Sequence, residues 1–314
     1  MVTTIEVLTP GMQTTVQDLG RPGYGHLGVS ACGAADPLAL RLGNLLAGNS
    51  EGAAALEMTL LGGKFRFNGA ALCVLAGADF AATLDGVPVQ LWTPTYIGVG
   101  QTLGFAGSRV GARCYLCVGG GLQVREVLGS CSTHVPSRLG GVAGRQLLKG
   151  DLLTVQEPAA DPPPSLIRSD TIEKLRTTSG VLRVTDSAQT AEFATGSLAK
   201  LYSLPWSVQR DSNRMGVRLT GVPLQAPLRG NMTTEGAPLG AIQVTPSGEP
   251  VILFVDHQTT GGYPKIGCVI SADHWRIGQL RPHQTVRFVH VTFDEARQLL
   301  LEQEALLTPE VLFG

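Results

Sequence analysis

The sequence predicts a mostly β protein of two barrel-like halves with a few short helices, and three observations predict it. Glycine and proline account for 40 and 19 of the 314 residues while only 16% are charged, a composition of many tight turns and few long solvated helices. Strand-like apolar segments recur with turn signals between them. The length also exceeds the usual size of one hydrophobic core, so two domains of roughly 150 residues each are expected.

Taken in order, residues 36–47 form an amphipathic stretch with Asp36 as N-cap and Pro37 in the first turn, which predicts a helix. Residues 72–75, 80–84 and 87–92 read as strands, and Asp85-Gly86 between the last two is a hairpin signal. Residues 293–307 give a second amphipathic helix. The run EPAADPPPS after Gln156 is stiff, polar and unfit for a sheet interior. The domains are therefore assigned as 1–157, a linker at 158–179, and 180–314. A faint internal echo supports duplication: residues 5–14 align with 182–190, and residues 96–105 with 275–288, each of the latter reading as a turn before a closing strand.

Composition also bounds function. Lys plus Arg total 24 against 25 Asp plus Glu, with no basic cluster, which leaves no electrostatic footprint for nucleic acid. The N-terminus lacks the basic start and apolar core of a signal peptide, and no apolar run reaches about 18 residues, so a cytoplasmic protein with no membrane partner is expected. The six cysteines then belong in the reduced state, and Cys114 and Cys117, a single CxxC within an apolar strand, are expected in the core. The six histidines show no metal-ligand spacing, so no metal is expected; a Walker A loop and a GxSxG elbow are also missing.

Three segments concentrate glycine with polar groups. In residues 14–25, Gly20 and Gly23 let the backbone turn around Arg21, whose guanidinium either grips a carboxylate or phosphate or bonds loop carbonyls. In residues 207–219, the turn formers Asp211, Ser212 and Asn213 place Arg214 at a loop before a strand, as a ligand contact or a plain turn. In residues 256–267, Gln258, Thr259, Thr260, Gly261, Gly262, Tyr263 and Lys265 follow an apolar strand, and their side chains and backbone amides suit an anionic or amide-bearing ligand. Gly119-Gly120-Gly121 could also approach a ligand, and residues 130–133 add further small residues.

The motifs TVQDLGRPGYGHLGVSACGAADPLALRLGNLLAGN from Thr15, SNRMGVRLTG from Ser212, EGAPLGAIQVTPSGEP from Glu235 and DHQTTGGYPKIG from Asp256 closely resemble the family of the 5-oxoprolinase C subunit, also named allophanate hydrolase subunit 2 or the biotin-dependent carboxyltransferase family. The resemblance covers most of the chain in order. It implies two tandem cyclophilin-like β-barrel domains and partner subunits B and A. With them such a chain opens the lactam of 5-oxo-L-proline to L-glutamate, using ATP in the assembled complex. The same unit resembles the carboxyltransferase part of urea carboxylase, which moves a carboxyl group from biotin to urea. No Met-Lys-Met carrier motif stands here, so biotin would arrive on another chain. Some relatives are described as antagonists of a histidine-kinase inhibitor, a regulatory alternative. A composition 43% hydrophobic and 16% charged permits an interface with a partner, and self-association when the chain is isolated. The resemblance leaves the catalytic residues open; Arg21, Asn213, Arg214 and residues 258–263 and 265 are the expected substrate contacts.

Overall fold

The computed structural model describes residues 3–157, 172, 180–227, 233–308 and 312. The assigned linker, apart from Ile172, lies outside them. The described chain divides into two compact units, one of residues 3–21, 32–157 and 312, the other of residues 22–31, 172, 180–227 and 233–308. The excursion at 22–31 breaks the contiguous N-terminal half that the sequence suggests.

In the first unit the strands are β1 (Thr4–Thr9), β2 (Gln13–Gln17), β3 (Ala55–Thr59), β4 (Lys64–Phe67), β5 (Ala71–Gly77), β6 (Thr83–Leu84), β7 (Val87–Pro88), β8 (Thr95–Ile97), β9 (Thr102–Gly104), β10 (Arg113–Val118) and β11 (Leu152–Thr154). They form a six-stranded sheet in the order β11-β1-β4-β9-β6-β7 and a five-stranded sheet in the order β2-β3-β10-β5-β8. Alternating apolar residues from both, including Ile5, Val7, Phe65, Phe67, Leu75 and Leu116, share one core. Asp85 and Gly86 take left-handed φ values of 48° and 89°, the geometry of a two-residue hairpin matching strand twist. The flanking strands are shorter than the apolar runs that announce them.

Helix α1 (Pro37–Leu46) starts as its sequence requires, with the Asp36 carboxylate accepting from the Ala39 amide at 2.8 Å and proline in the first turn. It packs against β5 and β10. Contact is close because of Gly43: a Cβ there would fall 2.7 Å from Cys117 Sγ and 2.9 Å from Ala76 Cβ. Cys117 thus faces the helix, while Cys114 belongs to the intersheet core. Both thiols are buried, and burial raises the Cys117 pKa far above its ordinary value.

The second unit is a closed seven-stranded barrel. Its strands are β12 (Val181–Thr185), β13 (Trp206–Val208), β14 (Gly216–Thr220), β16 (Ala241–Val244), β17 (Pro250–Leu253), β19 (Lys265–Val269) and β20 (Thr285–His290), in the order β12-β19-β16-β17-β14-β13-β20. Parallel pairing of β12 with β20, Val181 opposite Arg287, closes the ring. A separate ribbon pairs β15 (Glu235–Gly236) with β18 (Thr260–Gly261). Helices α2 (Thr195–Ser203), α3 (His274–Gly278) and α4 (Phe293–Ala305) complete the unit. α4 begins with a reciprocal cap between Thr292 and Glu295. Trp206, Leu219, Ile242, Ile252 and Phe288 are buried, and Asp273, also buried, binds Arg183 and Arg276 to tie β12 to α3. Among the described residues no helix is long and apolar enough to cross a membrane.

Candidate functional site in the second unit

The loop after β17 is anchored by a buried ion pair. β13 ends in a turn where Asn213 Oδ1 accepts from the Met215 amide at 2.8 Å, so Asn213 organises its own turn. Next to it Arg214 is 5% exposed and forks onto Asp256, Nε to Oδ2 at 2.8 Å and Nη2 to Oδ1 at 2.9 Å. Arg214, read from sequence as a ligand contact or part of a plain turn, has its guanidinium turned inward onto Asp256. The Asp256 amide also donates to the Arg214 carbonyl at 2.8 Å, fixing the loop's origin twice. From the 22–31 segment, the Ser30 hydroxyl donates to the carbonyls of His257 at 2.9 Å and Val255 at 3.3 Å. The stretch just after the first glycine-rich segment therefore supports the third. The His257 ring faces the Gln258 carbonyl at 2.7 Å, and burial lowers its pKa.

Gln258 and Thr260 are exposed and Thr259 half-buried. The Thr259 carbonyl accepts from Ala237 at 3.0 Å, and the β15–β18 ribbon holds Thr260 and Gly261 against Glu235 and Gly236. Neither Gly261 nor Gly262 has positive φ. What Gly261 supplies is room, since a Cβ would stand 2.5 Å from Gln243 Nε2. Gly262 and Tyr263 border a cleft of about 940 Å³ shared with Leu224, Val244, Pro246 and Pro264.

Lys265 begins β19 with its side chain buried, and its ammonium donates to Glu235 Oε1. Gln189 donates to the same oxygen at 2.5 Å and accepts from the Lys265 amide at 3.4 Å. The Lys265 hydrogen bond holds the Glu235 carboxyl below its usual pKa. Lys265 and Glu235 line a second cleft, of about 620 Å³, together with Asp186, Ser187, Cys268 and Phe293. Of the candidate residues, then, Lys265 meets one cleft, Gly262 and Tyr263 another, and Arg214 lies behind the loop. Glu235 and Gln189 are functional candidates that sequence reasoning missed. Glu235 opens the EGAPLG motif, but nothing local marks its pairing with a lysine thirty residues on.

Arg21 belongs to the first unit and is 1% exposed. Its guanidinium is held by loop carbonyls, Nε donating to Val127 at 3.2 Å and Nη2 to Ser132, while the buried Nη1 has no partner among the described residues. Asp18 gathers the same loops, accepting from the Gly20 amide at 2.7 Å, the Ser130 hydroxyl at 2.6 Å, and Ser132 Oγ and the Cys131 amide at 2.5 Å each. A cleft of about 440 Å³ adjoins this hub, bordered by Asp18, Asn49, Gly120, Gly121, Glu126 and Cys131. Burial and the nearby acids push the Cys131 thiol up to about 11, so it is neutral at physiological pH.

A mostly β fold with a closed barrel and a polar loop site defines the class, and comparison gives the family. The model of the carboxyltransferase domain, subdomain A and B, matches residues 27–290, and the chain belongs to that family. It is 37% identical to the C subunit of 5-oxoprolinase from Haemophilus influenzae over 96% of each chain. Against the corresponding C subunit from Escherichia coli it is 36% identical over 96% of this chain and 95% of the other. The crystal structure of Kluyveromyces lactis urea carboxylase superposes with a TM-score of 0.93 at 32% identity, over 99% of this chain but 29% of that longer one.

Proposed function

We propose that this chain is the C subunit of a multisubunit 5-oxoprolinase, which opens 5-oxo-L-proline to L-glutamate with ATP hydrolysis. One observation carries the reading: the match to the bacterial C subunits runs the length of both chains, whereas urea carboxylase contains this unit as a minor part. In the reaction water adds to the lactam carbonyl, the ring C–N bond breaks and the nitrogen leaves as an amine. A lactam is a resonance-stabilised amide, so its oxygen must be activated and its ring held. The 258–265 loop, rooted by Arg214–Asp256 and Ser30, offers hydroxyls and an amide side chain, and Lys265 at its end carries an ammonium into the cleft it shares with Glu235.

The groups around Lys265 do not fit ATP. The ammonium is already paired with Glu235, and Asp186 lines the same cleft, a poor setting for a polyphosphate. We therefore place ATP on a partner, B or A, and assign this chain no nucleotide chemistry. Carboxyl transfer from biotin carried on another chain is the second reading, favoured by the family match and the urea carboxylase superposition. The test is reconstitution. The purified chain alone should release negligible glutamate, and adding B and A should produce ATP-dependent release. Robust ATP-dependent release by the single chain refutes the reading of this chain as one part of a larger enzyme.

A further inference from the structure

We propose that the cleft at Lys265 and Glu235 recognises the cis-amide edge of a small ring, a carbonyl oxygen and an N–H side by side. Lys265 is only 5% exposed, yet its ammonium makes one hydrogen bond among the described residues, to Glu235 Oε1. An ammonium has three donors, so two are left for a ligand. Glu235 Oε1 already accepts from Lys265 and Gln189, while Oε2 has no partner among the described residues. The cleft thus presents donors from Lys265 beside an acceptor from Glu235. Gln189 fixes the carboxylate's orientation by bonding both Glu235 and the Lys265 backbone.

An open-chain trans amide points its C=O and N–H to opposite sides, but a five-membered lactam or cyclic urea forces them onto one edge. Such an edge matches the pair in one sense only, oxygen to Lys265 and N–H to Glu235 Oε2, because an ammonium cannot accept. The Lys–Glu pair is neutral overall, which suits an uncharged amide edge better than a free carboxylate. Pro238, Ala241, Cys268 and Phe293 supply apolar wall for the ring faces. The site rests on this geometry; naming a lactam as its ligand rests on the proposed 5-oxoprolinase reading. A cyclic urea, as in biotin, presents the same edge.

The test is titration of the full chain, followed by amide NMR, with 5-oxo-L-proline, 2-imidazolidinone, 2-pyrrolidinone and N-methyl-2-pyrrolidinone. Saturable shifts at residues 235, 265 and 268 are expected. N-methylation, which replaces the N–H by a methyl group that can neither donate nor fit at the carboxylate, should weaken 2-pyrrolidinone binding about tenfold or more. Glu235→Gln, which keeps the shape but can turn a donor toward the ligand N–H, should weaken it similarly. Tighter binding of 5-oxo-L-proline than of 2-imidazolidinone supports the lactam; the reverse keeps the site and counts against the 5-oxoprolinase reading. Absence of saturable shifts with all four probes, or equal binding of the N-methylated one, overturns the proposal without any variant having to fold.

Discussion

Replacing Arg214 by methionine removes the fork on Asp256 while keeping a stem of similar length. In the native barrel the side chains of Arg214 and Asp256 are 6% and 3% exposed and share bonds of 2.8 and 2.9 Å. The variant strands a carboxylate away from water, and breaking a buried pair from one side costs about 3–5 kcal/mol. With a urea m-value of about 1–3 kcal/mol/M for a unit of this size, the midpoint should fall on the order of 2 M. Urea titration followed by the fluorescence of Trp206 and Trp275, both buried in this unit, reads the transition. Arg214→Met/Asp256→Leu should recover at least half of the loss, since no charge is then left buried. A single-variant cost under about 1 kcal/mol, or a double variant as unstable as the two singles summed, would refute the view that this pair clamps the loop.

Three further outcomes are expected. Burial lowers the pKa of both His257 and His274, so the unfolded chain takes up their protons first as pH falls. Stability should therefore be full above the ordinary histidine value near 6.5 and decline as pH drops below it; His257→Gln/His274→Gln should flatten melting temperature against pH between 7 and 5. Tyr202 carries a buried hydroxyl with no partner among the described residues, and Tyr202→Phe should leave urea stability unchanged or raise it by up to about 1 kcal/mol. A loss above that size would show that the hydroxyl is satisfied. Asp18→Asn turns an acceptor of four donors into a group that is half donor, and should cost about 2–3 kcal/mol in first-unit stability, read by Trp92 fluorescence.

What the sequence reveals of this fold is what its neighbours in the chain decide. Asp36 and Pro37 start a helix, and Asp85-Gly86 makes a hairpin, because each requirement is met within four residues. The parallel closure of β12 on β20 and the excursion of 22–31 depend on contacts over a hundred residues apart, with no local trace. The short helix α3 was hidden for another reason, since five residues carry too little periodicity to separate from a turn. The site follows the same division. Glycine and polar residues single out 256–267 in the sequence, but whether an arginine faces solvent or a buried acid is settled by residues such as Asp256, 42 positions from Arg214. Arg21 shows the same indeterminacy, its partners Val127 and Ser132 lying far along the chain.

The central claim is tested most directly by the substrate preference of the complex assembled from this chain and its co-purifying partners. Assayed side by side with ATP, 5-oxo-L-proline should yield glutamate and ADP, while urea with bicarbonate and biotin carrier yields no carboxylated product. Carboxylation of urea without glutamate release would contradict the account and make this chain a carboxyltransferase.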